Sequence, residues 1–301
     1  MLLSDDKQLF NDIIRTIADQ TEINEAYIEK DFYALTILRE LISRNPNFVF
    51  KGGTSLSVCQ RIINRFSEDI DISYALEHIT VGQRRQIKQD FFDSIAAASL
   101  SVQNAENIRS RRVFNRYICP YQSSWNNSSN FVIVEWATQT PAFPVEEKSA
   151  QTIIGKYLSK IGRLDLVEKY QLEPFVTKTI TKERTLVDKV FAICDYHISR
   201  KLDRQSRHIY DLHQLLKQVE LNKDLLDLFY KVKEYRVTLE TCYSVLGEKS
   251  LSTLLNELIE EKTYLSDYNL RTFPLLYDHI KYDECVPSIL KIASFLKDNN
   301  L

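Results

Sequence analysis

The feature that most constrains this chain is the order strand, glycine turn, helix, acidic strand within residues 48–74. Phe48-Val-Phe-Lys51 reads as a short strand and Gly52-Gly53 as a turn. Residues 55–66 carry Leu56, Cys59, Ile62, Ile63 and Phe66 on one helical face, and residues 69–74 alternate as a strand. On that strand Asp69 and Asp71 project to one side while Ile70 and Ile72 enter a core. Their Cα atoms would stand roughly 6.6 Å apart. Two ionised carboxylates at about 6 Å repel by about 3 kcal/mol at an effective dielectric of about 20. A divalent cation turns that repulsion into attraction.

Mg²⁺ favours a few carboxylates together with nucleotide phosphates and water, so a paired-aspartate strand beside a glycine turn suits metal-assisted phosphoryl chemistry. Gly52 and Gly53 let backbone approach a polyphosphate, and the hydroxyls of Thr54 and Ser55 at the start of the next helix offer donors to an anion. Taken singly, a solvated strand face explains Asp69 and Asp71, and a plain connection explains the glycines. The ordered combination is what points to chemistry.

The 301 residues are enough for two domains. Residues 5–43 read as two helices, the second over 24–43. A helix over 84–98, a strand candidate over 112–119 and the apolar run 131–136 complete an α/β segment. The polar stretch 123–129 reads as a hairpin loop, and Pro141 and Pro144 mark irregular chain. A division near Pro174 gives domains 1–172 and 173–301. Beyond it Gly247 is the only glycine, and Leu-rich segments such as 210–219 and 251–261 read as a helix bundle.

The N-terminus is acidic where a signal peptide is basic, and no run is long and apolar enough to span a membrane, so a soluble, cytoplasmic protein is expected. Five widely spaced cysteines with no C-x-x-C, and histidines without H-E-x-x-H spacing, argue against disulfides and zinc. A net charge of −2 excludes a protein that simply coats nucleic acid. Charge is uneven, however: residues 178–208 hold eight Lys or Arg against four Asp or Glu, and residues 209–301 hold eleven against fifteen. A local basic surface and an ordinary solvated helix face both account for this.

The glycine turn followed by Asp69-Ile-Asp71 resembles the nucleotidyltransferase superfamily typified by DNA polymerase beta. More closely, KGGTSL with RFSEDIDI resembles the AbiEii/AbiGii toxin nucleotidyltransferases, and the fifteen residues between Gly53 and Asp69 suit that subgroup. Glu29-Lys30-Asp31 stands where this family has an acidic-basic-acidic trio, which a solvated helix face also explains. Glu183-Arg-Thr-Leu-Val-Asp-Lys189, followed by Arg204-Gln-Ser-Arg-His-Ile-Tyr-Asp-Leu212, is similar to its paired C-terminal motifs. Read physically, Thr185 and Asp188 fit a capping box that puts Lys189 in the first turns of a helix. Arg207 and Asp211 at i and i+4 fit a surface pair.

The resemblance implies catalytic roles for Asp69, Asp71, Lys189 and Asp211, with Lys189 on phosphate. It implies nucleotide contacts from Lys51, Gly52, Gly53, Thr54, Ser55, Lys189, Arg204 and Arg207, and Mg²⁺ on Asp69 and Asp71. Superfamily members commonly add a third carboxylate on a later strand, and Glu135 fits; an edge-strand surface glutamate is the other reading. The expected fold is α/β, an N-terminal nucleotidyltransferase fold with a mixed sheet, then a helical bundle closing a nucleotide cleft.

The function implied is the toxin of a bacterial toxin-antitoxin or phage-defence system. It would transfer NMP from NTP to an RNA acceptor, the tRNA 3′ end, with a cognate antitoxin as partner. Transfer to a small molecule or a protein, and a non-catalytic nucleotide-binding module, are the alternatives.

Overall fold

The computed structural model describes every residue except 22, 68, 77 and 126–129. It divides into two units. The first holds Met1–Cys59 and Ser67–Thr179, the second Gln60–Phe66 and Ile180–Leu301.

The first unit opens with α1 (Lys7–Thr21) and α2 (Glu25–Arg44). Asn24 starts α2 by accepting the Ala26 N–H at 2.9 Å, as an asparagine N-cap should. Next come β1 (Phe48–Lys51), α3 (Gly52–Val58), β2 (Asp69–Tyr74) and α4 (Val81–Ala97). They are followed by β3 (Phe114–Pro120), β4 (Phe131–Ala137), β5 (Val145–Ala150), α5 (Ile153–Lys160), α6 (Leu164–Lys169) and β6 (Phe175–Ile180). The strands form one mixed sheet in the order β3-β4-β2-β1-β6-β5. β1 is antiparallel to β2 and parallel to β6; β4 is parallel to β2 and antiparallel to β3.

Alternation decides what each strand buries. Phe50, Ile70, Ile72, Val132 and Val134 are fully buried in one apolar cluster with Phe32, Leu35 and Leu38 of α2. Each such side chain contributes about 1.5–3 kcal/mol by leaving water. The opposite face of β2 and β4 is left half-buried, with Asp69, Asp71 and Glu135 on it.

The second unit is helical: α7 (Lys182–Ser199), α8 (Arg207–Leu216), α9 (Lys223–Arg236), α10 (Tyr243–Leu246), α11 (Leu251–Glu260), α12 (Leu265–Asp267) and α13 (Tyr282–Asp298). Phe191, Ile193, Ile209, Leu212, Leu215, Phe229, Leu255, Leu258, Ile289 and Ile292 are fully buried there. Among the described residues, no helix is long and apolar enough to cross a membrane.

Several expectations need correction. The helix expected over 55–66 stops at Val58, and Arg61, with a left-handed φ of 55°, bars α-helix from running on to Phe66. Ile62, Ile63 and Phe66 are buried as their spacing suggested, but on irregular chain. That chain is pinned by backbone bonds: Phe66 N–H to the Leu275 carbonyl and Tyr277 N–H to that of Asn64. Strands β5 and β6 were not expected. β5 is Val-Glu-Glu-Lys-Ser-Ala, with no apolar alternation to announce it. β6 begins directly after Pro174 and pairs Lys178 with Val49 of β1, so the first unit continues past the 172/173 division read from sequence. Of the hairpin loop expected over 123–129, residues 126–129 lie outside the described residues.

Candidate active site

Two candidate carboxylates of the first unit, Asp71 and Glu135, lie on a row of charges that crosses four strands. Arg116 of β3 is opposite Glu135 of β4, Glu135 is opposite Asp71 of β2, and Asp71 is opposite Lys51 of β1. The signs run plus, minus, minus, plus. Adjacent strands stand about 4.8 Å apart, so the central like pair is unfavourable, and the cations at either end offset it. Arg116 does so directly, with Nη2 at 2.6 Å and Nε at 2.7 Å from Glu135 Oε1. Glu135 therefore already has a cation on Oε1, and a role as third metal ligand would fall to Oε2.

Asp69 lies two residues along the same face of β2, opposite Ile133. Its carbonyl accepts the Thr54 hydroxyl at 2.7 Å, which ties the start of α3 to β2. The proton that sequence reasoning offered to an anion is thus committed to the backbone. Thr54 and Ser55 are both buried.

Gly52 explains why glycine stands after Lys51. Its φ is +75°, and a Cβ built there would lie 1.9 Å from Asp71 Oδ2 and 2.8 Å from Cγ. The missing side chain is the space the Asp71 carboxylate fills. Hard carboxylate oxygens in that cradle suit Mg²⁺, which takes one or two protein carboxylates and completes its shell with phosphates and water. Among the described residues no group of three or more His, Cys, Asp or Glu is placed to hold a metal ion. Asp69 and Asp71 as a pair fit the ion's needs.

The trio Glu29-Lys30-Asp31 does not form a solvated helix face. Glu29 and Lys30 are each 2% exposed. Glu29 accepts the Ser123 hydroxyl, and Lys30 Nζ lies 5.5 Å from the centre of the Phe131 ring. Asp31 Oδ2 accepts the Ile153 N–H at 2.7 Å and so caps α5. Burial raises the Asp31 carboxyl to about 6, against the pull of that bond.

The second unit carries a buried ion cluster. Asp211 of α8 is fully buried, and its carboxylate is gripped from two directions. Arg65 donates Nε to Oδ1 at 2.7 Å and Nη2 to Oδ2 at 2.8 Å, while Lys189 Nζ of α7 stands 2.6 Å from Oδ2. The expected Arg207–Asp211 surface pair is replaced by this cluster. Burial alone would raise the Asp211 carboxyl, but Arg65 and Lys189 outweigh it and hold it well below the usual range. Burial draws the Lys189 ammonium below its ordinary value; Asp211 works the other way, and Arg65 adds to the lowering. Burial, with Lys189 and Arg207 nearby, leaves His208 well below the usual imidazole range and hence neutral at pH 7.

Helix α7 also starts earlier than expected. Thr181, not Thr185, is its N-cap and accepts the Arg184 N–H at 3.3 Å, while Asp188 pairs with buried Arg184 at 3.0 Å. Lys189 therefore sits about two turns into the helix. Of the basic residues between 178 and 208, Arg184 and Lys189 are buried, whereas Arg200, Lys201 and Arg204 are exposed. Arg200 pairs with Glu261 at 3.3 Å, and the Arg204 backbone N–H is held by Asp267.

Sequence reasoning gave no role to Arg65 or Arg116. Arg65 stood inside the RFSEDIDI motif, but its partner is 146 residues away. Arg116 could be matched to Glu135 only with the β3–β4 register in hand.

The fold is shared with a solved nucleotidyltransferase toxin. MenT4, a nucleotidyltransferase toxin of Mycobacterium tuberculosis H37Rv, superposes with a TM-score of 0.56 at 15% identity, over 95% of this chain and 88% of that one. JHP933 of Helicobacter pylori is similar with a TM-score of 0.47 at 16% identity, over 90% of this chain and 93% of that one. Among curated protein sequences none matches the chain significantly. At these identities the likeness is one of fold, and it agrees with the nucleotidyltransferase class that KGGTSL and RFSEDIDI resemble. More narrowly, the family described as the nucleotidyl transferase AbiEii toxin, of type IV toxin-antitoxin systems, matches residues 36–285, and the chain belongs to it. The protein is thus a nucleotidyltransferase toxin, and its system includes a cognate antitoxin.

Proposed function

We propose that this toxin is a Mg²⁺-dependent enzyme that transfers NMP from an NTP to RNA, at the tRNA 3′ end, in the cytoplasm and in phage defence. The observation that carries the metal-dependent part is the Gly52 cradle, which leaves room for the Asp71 carboxylate on the face that Asp69 shares. Mg²⁺ bound to these two residues would supply a Lewis acid at the α-phosphate and neutralise charge on the leaving pyrophosphate. The chain's own groups do the rest. Asp69 and Asp71 hold the ion, and one of them accepts the proton of the attacking hydroxyl. Lys189 meets phosphate, and Asp211 holds Lys189 in place. The acceptor hydroxyl bonds to the α-phosphorus as the bond to pyrophosphate breaks.

RNA as acceptor is supported by exposed Arg200, Lys201 and Arg204 in a protein that is acidic overall. The test is to incubate purified protein with each labelled NTP, Mg²⁺ and total RNA. Label in RNA is the expected result. Label in a small molecule or in protein overturns the acceptor, and label in none of them with any NTP overturns the proposed reaction.

A further inference from the structure

Asp211 has two cationic partners, and they are not equivalent. Arg65 reaches both carboxylate oxygens through two different nitrogens. It is itself immobilised: it is 3% exposed, its Nη1 donates to the Phe66 carbonyl at 2.9 Å, and its backbone bridges to Leu276. Lys189 shares only Oδ2, at the end of a flexible four-carbon stem. The charges bearing most on Lys189 are Asp211, which favours its ammonium, and Arg65 and Arg207, which oppose it.

We propose that Arg65 is a positioning residue that releases Lys189 for a nucleotide phosphate, because its two-pronged grip neutralises Asp211 without Lys189. This rests on the reading that Lys189 meets phosphate. Without Arg65, Asp211 and Lys189 form a closed one-to-one pair. Lys189 could then turn to a phosphate only by stranding a buried, ionised carboxylate, which is strongly disfavoured. Arg65 thus governs phosphate affinity without touching phosphate.

The test is a double-mutant cycle on the full chain, with inorganic triphosphate as the probe and calorimetry as the readout. Lys189→Ala and Arg65→Gln are each expected to weaken triphosphate binding by about tenfold, equivalent to about 1.4 kcal/mol. The double variant is expected to bind within about twofold of Lys189→Ala, because Arg65 acts only through Lys189. A merely structural loss would multiply instead. Should Arg65→Gln fail to fold, Arg65→Lys keeps the charge but not the grip on both oxygens, and the same cycle is run with it. Wild-type affinity in Lys189→Ala overturns the phosphate reading and this inference with it. Weakened binding in Lys189→Ala, combined with wild-type affinity in the Arg65 variant or with multiplying losses in the double variant, overturns the role of Arg65 alone.

Discussion

Gly52→Ala probes the candidate metal site through backbone geometry, without changing a charge. Two penalties add. Alanine at φ +75° lies in the left-handed region, where a side chain is disfavoured by about 1–2 kcal/mol. Its Cβ would also stand 1.9 Å from Asp71 Oδ2 and 3.1 Å from Asp71 Cβ, far inside ordinary carbon contact of about 3.5–4.0 Å. β2 cannot retreat, because Ile70 and Ile72 on either side of Asp71 are fully buried. The carboxylate must therefore rotate off its preferred conformer, at about 0.5–1.5 kcal/mol. The sum is a loss of about 1.5–3.5 kcal/mol in stability. Urea unfolding measures it, and Mn²⁺ titration, with Mn²⁺ as a spectroscopic stand-in for Mg²⁺, reports the displaced carboxylate. Gly162→Ala separates the two penalties: its φ is +77° but nothing lies within 4 Å of the added Cβ. Gly52→Ala is expected to lose more stability than Gly162→Ala and to bind Mn²⁺ at least about tenfold more weakly than wild type, a loss of about 1.4 kcal/mol. Equal urea midpoints for the two variants, with wild-type Mn²⁺ affinity in Gly52→Ala, would refute the reasoning.

Three further outcomes are expected. Asp69→Asn and Asp71→Asn each remove Mg²⁺-dependent transfer while metal-free thermal stability stays equal or rises; full transfer activity in both variants would show the metal assignment to be wrong. Burial pushes the Asp31 carboxyl up from its ordinary range to about 6 in the folded protein. Its stabilising effect is therefore complete below the unfolded value and lost as pH rises through 6. Asp31→Asn should accordingly be more stable than wild type at pH 8 and lose that advantage by pH 4, and a pH-independent difference in urea unfolding would count against it. Neutralising Arg200 and Lys201 together should flatten the salt dependence of RNA binding by about 1–2 units of slope while leaving NTP affinity unchanged; an unaltered slope removes these residues from the RNA contact.

What was legible in the sequence was local. β1 and β2 fall at Phe48–Lys51 and Asp69–Tyr74, as alternation placed them, and Asn24 marks the start of α2 through its own side chain. The sharing of one face by Asp69 and Asp71 follows from the period of two. What was hidden depends on partners remote in sequence. Apolar spacing correctly marked Ile62, Ile63 and Phe66 for burial, but spacing alone cannot tell a helix from an irregular segment buried by distant chain, and a left-handed arginine at 61 carries no sequence signal. Thr185 matched a helix-start pattern better than Thr181, yet β6 runs to Ile180 and makes Thr181 the first residue able to cap. Nothing near Asp211 in sequence points to Arg65, and Glu135 reads differently once Arg116 is beside it.

The excursion of residues 60–66 into the second unit bears on how this toxin can be cut or recombined. Its helical part is not a cassette. A fragment beginning at residue 180 lacks Arg65, and with it the two-pronged partner of its fully buried aspartate. A fragment ending at residue 179 keeps Ile62, Ile63 and Phe66 without the chain that pins them at Asn64 and Phe66. Chimeras between family members therefore have to exchange the seven residues from Gln60 to Phe66 together with the C-terminal helices.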